Sequence, residues 1–403
     1  MLFSDCGFRC VEACGTIVPM NDAQARARWA LLFGNFVIGT GVLAPAGLIN
    51  EITSAFSVDV PRAGSLIGFG AAVLCIEAPL LAFLTNRVDR RVLLTAALLL
   101  YVVGHLLSAF APSFGVLLAV RLAMVGGAAI FTPQAASAIG LFIAPEQRAG
   151  SVAFIFLGWS VALAVGVPLV SLFGAHFGWS ATYLALAAAS ALATIAVFAT
   201  VPGGLMTPPL SVAAWKAVFG NRKVQLLLVV TCVFLAGQFT EYPFVAAQLK
   251  SEANASASMI AILFAVYGFA GVVGSTIATS AIDRLGGPRT ARGSLVFVMV
   301  GLLIWSLSGA SVLLAACALV IWGSGGGPAI AAQQARLIAA DPMAASATVA
   351  LNTSLLYAGQ AIGTALGGWT LSTGHSSWSG VFAVTLIAIA LTVSVISERR
   401  FSA

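Results

Sequence analysis

The chain has 403 residues, of which 60% are hydrophobic and only 8% are charged. Because a typical soluble domain carries about 25% charged residues, this composition disfavours a soluble enzyme, a disordered protein and a secreted disulfide scaffold. It predicts a protein that crosses a lipid bilayer several times. The formal net charge of +6 is less informative than the positions of the 19 basic and 13 acidic residues.

Twelve apolar stretches follow one another along the chain, each long enough for a helix that crosses the hydrocarbon core. They are apolar on all faces, which favours helices over barrel strands, in which apolar and polar residues would alternate. We therefore predict an all-α membrane protein with twelve transmembrane helices in two six-helix bundles. The predicted spans are residues 30–49, 64–85, 92–112, 115–143, 150–173, 180–201, 224–249, 257–281, 291–309, 311–339, 345–371 and 378–397.

Basic residues are concentrated on one side of the predicted membrane. An even number of spans places both termini on that side, and its segments hold most of the Lys and Arg residues, Arg336 among them, whereas the opposite loops hold only Arg62 and Lys250. By the positive-inside rule, both termini are expected in the cytoplasm, with the protein in the inner membrane of the cell. No loop is long enough to bind nucleic acid. The expected partners are the lipid bilayer, a small-molecule substrate and protons, and the chain is expected to act as a monomer.

A repeat divides the chain into two halves. The segment His176-Phe177-Gly178-Trp179-Ser180 recurs as His375-Ser376-Ser377-Trp378-Ser379. Such a duplication predicts a pseudo-two-fold axis along the membrane normal, with a cleft between the halves. The predicted segments are a cytoplasmic tail at 1–29, a bundle at 30–201, a cytoplasmic linker at 202–223, a second bundle at 224–397 and a cytoplasmic tail at 398–403.

The loop after the second span carries a motif, which runs from Ala78-Pro79-Leu80-Leu81 to Asn86-Arg87-Val88-Asp89-Arg90-Arg91. Over essentially its whole length, the chain resembles the major facilitator superfamily, and within it the arabinose-efflux and drug:proton antiporter branch. The other segments that carry this resemblance are Arg121-Leu122, Gly126-Gly127, Gly166-Val167-Pro168, Asn352-Thr353-Ser354, Gly359-Gln360 and Gly367-Gly368.

The loop motif departs from the family pattern Gly-x-x-x-Asp-Arg-x-Gly-Arg-Arg at Ala82, Asn86 and Asp89. The resemblance implies that the acid of the motif caps a helix end and pairs with a basic residue, which holds one conformation closed. Since Asn86 has no charge, Asp89 is expected to take over that pairing. The predicted gating loop consists of Asn86, Arg87, Asp89, Arg90 and Arg91, with a counterpart at Asp283 and Arg284.

Few ionisable side chains lie inside the predicted spans. A charge near the centre of a span costs about 2.5–3.5 kcal/mol, so such residues usually face a cavity or a partner. Glu77, Glu241 and Arg121 are the predicted proton-coupling residues, and the resemblance associates a basic residue at the Arg121 position with proton transfer. The alternatives are a neutral, hydrogen-bonded Glu77, a gate hinge where Glu241 precedes Pro243, and an Arg121 satisfied by water or carbonyls. His105 is interpreted as a hydrogen-bonded packing residue.

Uncharged polar and aromatic residues form the predicted lining of the substrate path. In the family that the chain resembles, spans one, four, seven and ten line the cavity. Amides also bridge helices, so each polar residue keeps a structural alternative, whereas the aromatic residues favour amphipathic solutes over free sugars. The predicted substrate-binding residues are Asn35, Phe36, Thr40, Phe131, Gln134, Gln238, Phe239, Trp322, Gln333, Asn352 and Gln360.

These features predict a secondary active transporter and not an enzyme, since the spans offer only scattered single groups for catalysis. The expected function is proton-coupled efflux of small amphipathic molecules by alternating access. The alternatives are a sugar or nucleoside transporter that is not driven by protons, and a membrane receptor that transports nothing. No cofactor or metal is expected, because the glycine run at 323–328 lacks the Lys-Ser/Thr of a phosphate loop and Cys6, Cys10 and Cys14 lack a fourth ligand.

Overall fold

The computed structural model describes residues 20–85, 87–206, 218–341 and 345–401; these ranges are largely helical and contain no β-strand. Asn86 and the three cysteines near the start lie outside them. A π-helical turn at Ala162–Gly166 and a 3-10 turn at Tyr242–Phe244 interrupt the helices. The α-helices are α1 (Asp22–Gly47), α2 (Ile49–Phe56), α3 (Val60–Leu84), α4 (Arg90–Ala109), α5 (Phe114–Met124), α6 (Gly126–Phe142), α7 (Pro145–Val161), α8 (Val167–Thr200), α9 (Arg222–Glu241), α10 (Val245–Glu252), α11 (Ala257–Leu285), α12 (Gly287–Ser306), α13 (Val312–Ala340), α14 (Ala345–Ser372) and α15 (Ser376–Phe401).

Polar residues fix where the helices begin. Asn21 and Gln24 form a reciprocal capping box, in which the Gln24 backbone N–H donates to Asn21 Oδ1 at 2.8 Å. The box starts α1 at Asp22, well before the predicted span at residue 30, because a search for apolar runs misses the polar first turns of a helix. Side chains that accept a backbone N–H also cap α3, α4, α5 and α9, namely Asp59, Asp89, Ser113 and Asn221.

Ten of the described helical segments are long and apolar enough to cross a membrane. One of them, Pro145–Thr200, has 56 residues and breaks at Gly178, where φ is 83°, so it forms two spans. The 28-residue α14 is not among the ten, but it is about 42 Å long and packs against α3 and α9. It completes the set of twelve. The predicted all-α membrane fold, with twelve transmembrane helices in two six-helix bundles, is confirmed.

The internal repeat falls at corresponding places in the two halves. Trp179 follows the break at Gly178, between the fifth and sixth spans, and Trp378 follows Gly374, between the eleventh and twelfth. Both glycines have a positive φ, of 83° and 75°, which side chains disfavour. The sequence repeat therefore marks the same turn twice. We call the side of the bundle with these turns the distal end, because it lies opposite the chain termini.

The two halves touch along two pairs of spans, α3 with α14, and α11 with α8 and the π-helical turn. Gly268 of α11 leaves no room for a side chain, because a Cβ there would overlap backbone atoms of Ala164. At the distal end, Asn50 Nδ2 donates to the carbonyl of Ala246 at 3.2 Å. Close approach of small residues is a common way for helices to associate in a membrane. The halves are thus in direct contact at this end.

Candidate functional site

Arg121 on α5 is buried inside the first half of the chain, with 3% of its surface exposed. Its guanidinium donates from Nη1 to the Gly41 carbonyl at 2.6 Å and from Nη2 to the Val42 carbonyl at 2.5 Å. Pro45 lies inside α1 and has no N–H, so the Gly41 carbonyl four residues earlier lacks its usual helical donor. Arg121 therefore supplies the hydrogen bond that the proline removes. This arrangement corresponds to the alternative in which carbonyl groups satisfy the Arg121 guanidinium.

Three buried rings lie within electrostatic range of this guanidinium. The imidazole of His105 lies 5.4 Å from the Tyr101 ring, edge to face, and 5.8 Å from the Tyr183 ring, which stacks on it. Tyr101 Oη, both nitrogens of His105 and Nε of Arg121 are buried without a hydrogen-bond partner among the described residues. We call Arg121, His105, Tyr101 and Tyr183 the polar cluster. Tyr101 and His105 are spaced i, i+4, which places them on one helix face, and this spacing is a sequence signal that could have identified Tyr101.

Glu77 on α3 is half-buried at the edge of the polar cluster. Its carboxylate packs against Gly126, where a Cβ would lie 3.1 Å from Oε2, and this oxygen has no hydrogen-bond partner among the described residues. Tyr101 lies within electrostatic range of both Glu77 and Arg121. The structure therefore brings two of the three predicted proton-coupling residues within electrostatic range of one phenol.

Glu241, the third of these residues, lies in the other half at the distal end. Its carboxylate accepts hydrogen bonds from Gln248 Nε2 at 2.9 Å and from Trp305 Nε1 at 3.3 Å. A cavity of about 230 Å³ adjoins it, lined by α10, α12 and α15 as well as by Glu241. The helix ends at Glu241 because Pro243 follows in the 3-10 turn. Glu241 is thus separate from the polar cluster.

Aromatic side chains of α9, α11 and α13 meet in the second half of the chain. Trp322 Nε1 donates to Gln238 Oε1 at 2.8 Å. The ring of Tyr267 lies 5.3 Å from that of Trp322, and the ring of Tyr242 lies 5.5 Å from that of Phe239. We call Phe239, Tyr242, Tyr267 and Trp322 the aromatic cluster. Gln238, Phe239 and Trp322 were predicted to line the substrate path, whereas Tyr242 and Tyr267 were missed.

Several predicted lining residues bond to neighbouring helices instead of standing free. Asn35 Nδ2 donates to the Ile155 carbonyl at 3.1 Å, and Asn35 Oδ1 accepts from Thr132 at 2.8 Å. In the other half, Asn352 Oδ1 accepts from Thr231 at 2.8 Å. These amides bridge spans of the same half, which is the structural alternative that the sequence left open.

Gln333 also bonds within its half, since its Nε2 donates to the Leu227 carbonyl and its Oε1 accepts from Arg336 at 3.0 Å. Arg336 was counted with the basic residues of the loops, and this placement was wrong. The side chain is only 7% exposed and donates to Ser394 Oγ at 2.8 Å. The oxygens of α15 allow this guanidinium to remain inside the bundle.

The remaining predicted lining residues lie on inward faces. Phe131 packs against the bare backbone of Gly34, and Phe36 stacks beside Phe33 with ring centroids 6.1 Å apart. Thr40 is buried beside Gly166 of the π-helical turn, and its hydroxyl has no partner in the described part of the chain. Gln134 on α6 and Gln360 on α14 are 8% and 9% exposed.

The predicted gating loop binds the segment after the sixth span. Asp89 caps α4 through the Val92 N–H at 3.2 Å and accepts the Leu205 N–H at 2.8 Å, while the Arg90 N–H donates to the Leu205 carbonyl at 3.0 Å. Arg91 lies over the Phe198 ring at 4.3 Å. Arg87, Asp283 and Arg284 are exposed. Asp89 therefore caps α4, while its expected pairing with a basic residue stays a prediction.

Two six-helix bundles that bury ionisable groups, with an aromatic cluster in the second of them, are the architecture of a polytopic membrane transporter. The family model of the Major Facilitator Superfamily matches residues 31–348, and the chain belongs to this superfamily. It is therefore a transporter of small molecules and not an enzyme, as predicted.

Named relatives are similar over most of their length. The chain is 27% identical over 366 residues to "Uncharacterized MFS-type transporter YbcL" of Bacillus subtilis (strain 168), which covers 90% of this chain and 94% of YbcL. It is 27% identical over 375 residues to "Inner membrane transport protein YdhP" of Escherichia coli (strain K12), with coverage of 92% and 95%. A crystal structure of a D-xylose-proton symporter superposes with a TM-score of 0.73 at 15% identity, covering 92% of this chain and 97% of that one. That likeness concerns the fold alone.

Proposed function

We propose that the protein exports small amphipathic molecules in exchange for protons, as in the arabinose-efflux and drug:proton antiporter branch. The halves at 30–201 and 224–397 rock about the linker at 202–223 and open a central site to either side in turn. The protein acts as a monomer in the inner membrane with both termini in the cytoplasm, so the distal end faces outward. The similarity to YdhP, whose name includes the inner membrane, supports this location.

The observation that carries the proposal is that buried Arg121 and half-buried Glu77 both lie within electrostatic range of Tyr101, with polar atoms that have no partner among the described residues. Arg121 is held by carbonyls of α1, so a movement of that helix changes its distance from Glu77. A nearby opposite charge favours an ionised carboxylate, so this distance determines how firmly Glu77 holds a proton. Glu241 contributes to proton coupling at the distal end.

The aromatic cluster supports an amphipathic substrate. Rings of Tyr242, Tyr267 and Trp322 offer apolar faces, and Gln238 adds an amide that fixes orientation. Sites for drug-sized ligands are mostly apolar with a few placed polar groups. The remaining predicted lining residues belong to the same path in this proposal, and the gating loop closes it at the cytoplasmic end.

The test is transport by the purified protein in liposomes with an imposed pH gradient. The panel consists of ethidium, tetraphenylphosphonium and chloramphenicol, with D-xylose and uridine as polar members. We expect accumulation of at least one amphipathic compound that collapses when a protonophore removes the gradient. Gradient-independent flux of D-xylose or uridine, with no amphipathic compound moved, would support the sugar or nucleoside alternative instead.

Two substitutions test the residues. Glu77→Gln and Arg121→Ala are expected to reduce gradient-driven flux about a hundredfold, because each removes a positioned group in proton transfer. Glu146→Gln and Arg26→Ala, at exposed positions, are the matched controls and should transport normally. Elution as a single species on size exclusion confirms folding. Unchanged flux in both Glu77→Gln and Arg121→Ala would contradict the assignment of these two residues to proton coupling.

A further inference from the structure

His105 differs from the two other histidines of the chain. Its side chain is fully buried, whereas His176 and His375 are exposed at the distal end. From the sequence, His105 is interpreted as a hydrogen-bonded packing residue. However, neither ring nitrogen has a hydrogen-bond partner among the described residues. The interpretation of His105 as a hydrogen-bonded residue was therefore wrong.

An imidazole without partners is costly to bury. The neutral ring has one N–H donor and one acceptor nitrogen, and burying either without a partner is unfavourable. The neighbouring Tyr101 hydroxyl is equally without a partner in the described part of the chain. Three such atoms in one cluster are more than packing needs, since an apolar side chain of the same size would fill the space at lower cost. A transported group that visits the site would account for them.

Gly41 links His105 to the buried cation. A Cβ on Gly41 would lie 2.9 Å from His105 Nε2 and 2.8 Å from Cε1 of Tyr101, so both rings rest against the bare backbone of α1. The carbonyl of the same residue accepts the hydrogen bond from Arg121. His105 and Arg121 thus contact one point of α1 from two sides, and a displacement of α1 changes both surroundings together.

We propose that His105 binds a transported proton during the cycle, at a site that it forms with Tyr101 and that Arg121 controls through α1. The inference deepens the proposed function and rests on it. One ring nitrogen accepts a proton through its lone pair and later releases it, and no other bond forms or breaks. Two positive charges repel, so the proton enters when Arg121 has moved away and leaves when Arg121 returns.

The ionisable groups that face the site come from several helices. Arg121 of α5 is the charged neighbour of His105, and Tyr183 of α8 stacks on the ring. Tyr101 links the site to Glu77 of α3 and to Tyr357 of α14, in the other half. Tyr101 therefore connects a proton on His105 both to the carboxylate of Glu77 and to Tyr357, which lies in the other half.

The first experiment compares His105→Gln with a His176→Gln/His375→Gln double variant in liposomes, with ethidium as the probe. We expect His105→Gln to lose about a hundredfold in pH-driven flux, while ethidium counterflow without a pH gradient stays near the wild-type value. The double variant should behave as wild type. Loss of counterflow as well would indicate a structural role and overturn the inference. Full pH-driven flux in His105→Gln would also overturn it.

The second experiment needs no transported compound and separates this inference from the proposed function. In the His176→Gln/His375→Gln background, His105 is the one histidine that ¹⁵N labelling reports by magnetic resonance in lipid nanodiscs. Its ring is expected to gain a proton at a higher pH in the Arg121→Ala protein than in the protein that keeps Arg121, because the guanidinium opposes a second positive charge. A ring that stays neutral in both proteins would rule out the site. A titrating ring in a protein that moves no panel compound would count against the proposed function alone.

Discussion

The two halves share one fold but bury different chemistry. In the first half, His105 and Tyr101 have polar atoms without partners among the described residues, and they lie beside Arg121, which α1 holds. In the second half, the Trp322 indole is paired with Gln238 and stands among aromatic rings. Duplication of a six-helix unit therefore determines the arrangement of the helices but not the chemistry of their buried side chains. The first half has come to hold ionisable groups beside partnerless polar atoms of the described residues, and the second half holds an aromatic surface as well as the buried Glu241 and Arg336.

The buried charges of the halves differ in the same way. Glu241 receives hydrogen bonds from Gln248 and Trp305, and Arg336 donates to Gln333 and Ser394. A buried charge with several partners is stabilised where it is. Glu77, by contrast, has a buried oxygen without a partner among the described residues. An incompletely paired group is better suited to gain and lose a proton.

Among the substitutions that compare the two halves, Trp322→Phe in the second half is expected to have the largest effect. This change keeps an aromatic ring but removes the N–H that reaches Gln238 Oε1, and it leaves a buried acceptor unpaired. The expected loss of stability is about 1–3 kcal/mol. The half-saturating concentration for an amphipathic substrate should rise while the pH profile of transport stays unchanged. Thermal unfolding in detergent and substrate titration measure the two effects.

Trp378→Phe is the matched control, since that indole is 54% exposed. It should alter neither quantity. If Trp322→Phe changed the pH profile and left substrate affinity as it was, the division of chemistry between the halves would be wrong.

A smaller effect of opposite sign is expected from Tyr101→Phe. The hydroxyl it removes is buried without a partner in the described part of the chain, so no hydrogen bond is lost. Removing an unpaired buried polar group relieves a desolvation cost, and the unfolding temperature should stay constant or rise. The same thermal assay compares it with Trp322→Phe. A marked drop would mean that the phenol has a structural partner and would weaken the contrast between the halves.

Most of the fold could be predicted from the sequence, because the bilayer requires long apolar helices. The helix starts could not, since polar caps such as Asn21 extend a helix beyond its apolar run. The break at Gly178 was predictable because the apolar pattern stops there. Arg336 was misplaced for a physical reason: its partner Ser394 lies far along the chain, and sequence distance does not reveal such a pairing.

The candidate site was predictable only in part. Gln238 and Trp322, which were both predicted to line the substrate path, bond to each other, whereas Asn35 and Asn352 bond within their own halves. That any of the four contacts a substrate stays a prediction. Spans that are apolar on every face give no periodic signal of which side faces the centre. Tyr101 was missed because a tyrosine in an apolar run looks like packing. Tyr101 stands out in the structure, where its buried hydroxyl has no hydrogen-bond partner among the described residues.

The smallest predicted effect concerns the distal contact between the halves, at Glu51 on α2. Burial raises the pKa of this carboxyl above its ordinary value of 4.5, and a backbone hydrogen bond and the charge of Lys250 on α10 oppose the shift. The folded protein thus holds the proton more tightly than the unfolded chain does. The contribution of Glu51 to stability is fully present below the ordinary value and is lost as the pH rises through the raised one.

Glu51→Gln should remove that part of the pH dependence, so that the variant loses less stability than wild type as the pH rises above 4.5. Thermal unfolding in detergent at a series of pH values measures the difference. Glu146→Gln, on the exposed side of α7, is the control and should follow the wild-type curve. Because Lys250 belongs to the second half, Lys250→Gln should shift the loss to higher pH. If both variants followed the wild-type curve, the attraction between Glu51 and Lys250 would not couple the halves at the distal end.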